Sequence, residues 1–79
     1  MLSKLLTIIN EAVEGETLTE ERLDEDLTAL GMDSILFIQI IVRIEETFRC
    51  EIPDSRLLMD EMNTVNKILG VLKELGVHG

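Results

Sequence analysis

Ser34, Cys50 and His78 are the first side chains to weigh for chemistry in this 79-residue sequence. A thiol attacks as its thiolate, and no His or Asn stands near Cys50 to activate it. His78 is one residue from the end, and Ser34 lacks the Gly-x-Ser-x-Gly elbow of a self-activated nucleophile. A calcium loop opening at Asp24 fails as well, because Thr28, Ala29 and Ile35 stand where an acid, a glycine and the last ligand are required. What remains is Asp33-Ser34 ahead of a strongly apolar segment. A Ser there is first of all a helix cap. A phosphodiester on the same hydroxyl would also sit beside free backbone N–H groups and the positive end of the helix dipole. That arrangement suits a hydroxyl modified by another enzyme.

The elements around Ser34 follow from the periodicity. Leu2, Leu5, Leu6, Ile8, Ile9, Ala12 and Val13 predict an amphipathic first helix, with Ser3 as N-cap and Gly15 as its stop. Residues 15–33 are acid-rich and predict a long crossing loop pinned by Leu18, Leu23, Leu27 and Leu30, with room for a helical turn. Residues 35–48 run without Gly or Pro and predict a second helix capped by Asp33 or Ser34. Arg43 with Glu46, and Glu45 with Arg49, are charge pairs at helical spacing on it. Pro53 closes that stretch, since a proline disfavours helix in the residue before it. Asp54 to Met62 predicts a short helix or turn around Leu57, Leu58 and Met62. Thr64 then caps a final helix that buries Val65, Ile68, Leu69, Leu72 and Leu75 and stops at Gly76, with Gly70 weakening it a little.

The second helix carries too much apolar surface for its setting. Eight of the ten side chains from Ile35 to Ile44 are apolar, so they cover nearly the whole circumference. Phe37, Ile40, Ile41, Ile44 and Phe48 make the better inward set, which leaves Ile35, Ile38 and Val42 on another side. Either the preceding loop covers that side, or it is a surface for a partner.

Composition sets the outer limits. The length allows one domain, residues 1–79, whose folding buries only about 60% of the surface of the unfolded chain. Two phenylalanines are the only aromatics, so aliphatic side chains fill an all-α core. Sixteen acids against seven bases, a net charge of −9, argue against nucleic acid and favour basic partner surfaces. No apolar run is long enough for a membrane span, no secretory signal is evident, and a single cysteine fits a reducing, cytoplasmic setting.

Leu30-Gly31-Met32-Asp33-Ser34-Ile35 resembles the attachment motif of acyl and peptidyl carrier proteins, in which Asp-Ser opens the second helix. Phe48, then Glu51-Ile52-Pro53-Asp54, then Thr64-Val65 follow at the spacing typical of that family, so the resemblance runs the length of the chain. It implies a four-helix carrier bundle, three long helices and one short, with no reaction of its own. A phosphopantetheinyl transferase, using coenzyme A and magnesium, would place 4′-phosphopantetheine on Ser34. Its terminal thiol would hold acyl or aminoacyl groups as thioesters for a loading enzyme and for downstream synthases. By position, Met32, Asp33 and Ile35 flank that site, and the resemblance implies recognition through the following helix, including Leu36, Ile38 and Val42.

One departure bears on the clientele. Fatty-acid carriers usually place acids early on this helix, where Leu36 and Gln39 stand here. The more apolar face leans towards carriers of polyketide or nonribosomal peptide systems, with a housekeeping fatty-acid carrier as the alternative. A helical adaptor without a prosthetic group explains the charge and the apolar face, but not the register of the three motifs. A monomer is expected, and Met1 with closely fitting ends points to a free-standing protein.

Overall fold

A computed structural model describes residues 2–13 and 17–77. The described residues are helical, without a strand: α1 (Leu2–Ala12), α2 (Ser34–Phe48) and α3 (Val65–Glu74), joined by long connections that contain short 3-10 turns. α1 turns Leu5, Leu6, Ile8 and Ile9 inward and packs mainly on α2. Ser3 is not its cap, because the helix already includes Leu2 and the Ser3 carbonyl accepts a hydrogen bond from Thr7 Oγ1 (3.0 Å). The expected stop at Gly15 lies outside the described residues.

The first connection is tied down at both ends. Near α1, the Asn10 carboxamide pairs twice with Leu18: its Oδ1 accepts from Leu18 N (2.7 Å) and its Nδ2 donates to Leu18 O (3.1 Å). The side chain thus acts as one rung of a ladder and satisfies a backbone pair beside a buried leucine. Further along, Leu27–Leu30 forms a 3-10 turn capped by Asp26, whose carboxylate accepts from Thr28 N (2.9 Å). Gly31 ends it at φ 104°, a left-handed conformation that costs glycine nothing. Leu18 and Leu27 are buried, whereas Leu23 and Leu30 are half-buried.

Three polar links tie this connection to the start of α3. Leu27 N donates to Asn63 O (2.8 Å) and Asn66 N to Leu23 O (3.1 Å). The Asn66 Nδ2 donates to Asp24 Oδ1 (2.7 Å). The first N–H groups of a helix have no partner within it, so α3 spends one of its free donors on the loop.

α2 buries Phe37, Ile40, Ile41 and Ile44, the inward set expected from spacing, with Phe48 half-buried. It ends at Arg49, which is left-handed at φ 52°, four residues before Pro53. The charge pairs expected along α2 give way to longer reaches. Arg43 pairs with Glu11 of α1, and the Glu45 carboxylate accepts from Ile52 N (2.9 Å). That last bond turns the chain back against α2.

The short fourth helix is absent from the described residues. Asp54–Arg56 and Met59–Glu61 are separate 3-10 turns, and Leu58 between them is extended (φ −110°, ψ 123°). This break lets Met62 reach full burial while Leu58 is left 52% exposed. Thr64 caps α3 as expected, its hydroxyl accepting from Lys67 N (3.1 Å), and Gly76 follows the helix at φ 77°. Val65, Ile68 and Leu72 are buried as expected. Val71 takes the place expected of Leu69 and Leu75, both half-buried, because the core-facing stripe advances by 3.6 residues per turn.

Candidate functional site

Two neighbours divide the work at the start of α2. Asp33 is the cap: its Oδ1 accepts from Leu36 N (2.8 Å) and its carbonyl accepts from Phe37 N (2.8 Å). Ser34 is the first residue inside the helix, and it is exposed. The structural explanation for a Ser at this place therefore passes to Asp33, and the hydroxyl is left projecting from the surface. Chemistry at that oxygen breaks no capping bond.

The approach to Ser34 is held by backbone hydrogen bonds. Gly31 N donates to Thr28 O (3.2 Å) and Met32 N to Leu27 O (3.1 Å), folding the chain back over the 3-10 turn. Met32 is only 4% exposed, which corrects its expected place on a recognition surface. Its side chain is a plug in the core that fixes the backbone one residue before the Asp33 cap. Leu36 is half-buried and packs against the core, so it too offers a partner less than expected.

The loop does not cover the spare side of α2. Ile35 is 71% exposed, Ile38 52% and Val42 45%. They follow Ser34 at helical spacing and share a side of the helix opposite to the buried set. A concavity of about 500 Å³ lined by Glu45, Glu51, Ile52, Pro53, Asp54 and Leu57 includes none of these residues. The exposed Ser34 hydroxyl likewise lies outside that concavity.

Cys50 is half-buried, and burial, seconded by the Glu45 carboxylate, pushes its thiol above the ordinary range. Its thiolate is disfavoured. His78 lies outside the described residues. Asn10 and Asn66, whose carboxamides hold the loop, escaped sequence reasoning, since neither disturbs the apolar periodicity and their partners lie 8 and 42 residues away.

Residues 3–72 match the family model for the phosphopantetheine attachment site. This chain belongs to that family of acyl and peptidyl carriers. It is similar to the D-alanyl carrier proteins of Streptococcus pyogenes serotypes M5 (strain Manfredo), M49 (strain NZ131) and M1. Each is 41% identical over 56 residues, which cover 70% of this chain and 71% of the relative. No solved structure matches. Members of the family are carriers without catalysis of their own, bear covalent 4′-phosphopantetheine, and work with loading and synthase enzymes. The site fits such a group, because the exposed Ser34 hydroxyl carries no part of the helix cap. Among the described residues no helix is long and apolar enough to cross a membrane.

Proposed function

We propose that Ser34 is the attachment point, and that this single-domain carrier holds aminoacyl groups for partner enzymes. The observation that carries the first part is the division between Asp33, which caps α2, and Ser34, which is exposed just inside it. A transferase would join the phosphopantetheine phosphate of coenzyme A to Ser34 Oγ, releasing the nucleotide half. When bound, the group supplies a thiol on a long flexible arm, and the cargo rides on it as a thioester. Aminoacyl cargo is supported by the likeness to D-alanyl carriers over seven-tenths of the chain.

The surface supports a reading of the clientele. Ile35, Ile38 and Val42 form an exposed apolar strip beside Ser34, bounded by the acids Asp33 and Glu46 but with none between them on that side. Partners that meet this strip through apolar contact suit a specialised pathway better than a fatty-acid system that reads charge. The single cysteine, left without a partner for a disulfide within the chain, supports a cytoplasmic setting.

Incubation with coenzyme A, magnesium and a broad-specificity phosphopantetheinyl transferase tests the attachment. Intact mass should rise by one phosphopantetheine in the wild type and not in Ser34→Ala. No addition, under conditions that modify a control carrier, overturns the assignment. Loading of the modified protein by an amino-acid-activating enzyme, with no loading by an acyl-activating one, tests the cargo.

A further inference from the structure

We infer that Asn66, on α3, is a positioning residue for the modification of Ser34, acting as a latch on the loop that leads into it. The inference rests on Ser34 being the attachment point. Asn66 grips the loop twice, through its backbone N–H to Leu23 O (3.1 Å) and through its carboxamide to Asp24 Oδ1 (2.7 Å). From Asp24 the chain runs through the turn at Leu27–Leu30, the left-handed Gly31 and the buried Met32 to the Asp33 cap. Leu27 N is bonded in turn to Asn63 O, three residues before Asn66. The register of the approach to Ser34 is thus set from the start of α3, an element that begins 31 residues further along the chain.

The Asn66 side chain is exposed and absent from the core, so its loss leaves the helices packed. What it changes is the share of molecules in which the loop is docked. A transferase that binds the docked form meets fewer competent carriers when the latch opens, and its apparent KM for the carrier rises in inverse proportion. Turnover of the bound complex is unaffected. A KM effect without a kcat effect therefore marks positioning.

The pair allows a swap. Asn66→Asp sets two carboxylates against each other across the former hydrogen bond, and Asp24→Asn in the same chain restores a donor–acceptor pair with the roles exchanged. Hydrogen exchange at Leu27, Gly31 and Met32 amides reads the latch directly, without any modification chemistry. In Asn66→Asp these amides should exchange about three- to tenfold faster, the loss of one charge-assisted hydrogen bond in a locally opening segment. We take about one wild-type loop in nine to be undocked, so a tenfold rise in opening should roughly double the KM of the carrier for the transferase with kcat unchanged. The double variant should return both towards wild type. Unchanged exchange in folded Asn66→Asp, accelerated exchange with an unchanged KM, or a swap that restores neither, overturns the inference. Failure of the wild type to accept phosphopantetheine at all would instead remove the Ser34 assignment, and the exchange measurements would still report whether the latch exists.

Discussion

The two sides of α2 are made of the same material and do opposite things. Phe37, Ile40, Ile41 and Ile44 are buried, whereas Ile35, Ile38 and Val42 are between 45% and 71% exposed. Side-chain chemistry does not separate an isoleucine at position 40 from one at position 38. The neighbours do. α1 packs on one side of α2, and the loop that comes before it is held away by its bonds to the start of α3. An aliphatic strip kept open in this way costs solubility, which the high acid content of the chain offsets.

The sharpest way to break the comparison is to truncate each side. Ile40→Ala should destabilise the fold by about 2–5 kcal/mol in urea unfolding, because it removes a fully buried side chain and leaves a cavity. Next in size is the junction of the two sides. Asp33→Ala should cost about 1 kcal/mol by the same measurement, since the capping bond to Leu36 N is lost, while Ser34→Ala should fall within about 0.5 kcal/mol of wild type. Equal losses from the two would mean that the cap is shared. Gly70→Ala should move the other way, stabilising by up to about 1 kcal/mol, because an added Cβ meets nothing within 4 Å in an interior turn of α3.

On the exposed side, Ile38→Glu should change stability by less than about 0.5 kcal/mol yet slow loading by a partner enzyme. A loss of stability approaching that of Ile40→Ala would place Ile38 in the core and end the distinction. The smallest effect concerns Cys50. Its folded-state thiol is raised by burial and by Glu45, so the unfolded chain ionises first as pH rises. Stability should be level below the ordinary thiol range and decline as pH passes upward through it. Cys50→Ser should remove that part of the decline in urea titrations at stepped pH.

Most of this contrast was legible in the sequence, and for a reason that also explains the failures. The spacing of Phe37, Ile40, Ile41 and Ile44 and the Thr64 cap are local patterns, and the structure keeps them. Asp33 and Ser34 were both candidates for the cap, and only backbone geometry assigned it to Asp33. Met32 was set beside the site by the resemblance alone; it lies in a turn, where neither a helical nor a strand period says which way a side chain points, and the structure buries it. Between Asp54 and Met62 the apolar residues suited one helical turn, yet the demand for Met62 in the core broke the run at Leu58. Arg43 had an acid three residues away and took Glu11 on another helix instead. Each miss is a tertiary choice among partners that are equally available along the chain.

The position of the cap has one more consequence. Because Asp33 rather than Ser34 closes α2, a group joined to the Ser34 oxygen removes no native bond of the cap. Its negative phosphodiester would lie at the positive end of the helix dipole, so modification would leave the folding equilibrium unchanged or shift it towards the fold by up to about 1 kcal/mol. Under the proposed function, proteolytic quality control, which senses unfolding, would spare the modified chain at least as well as the bare one.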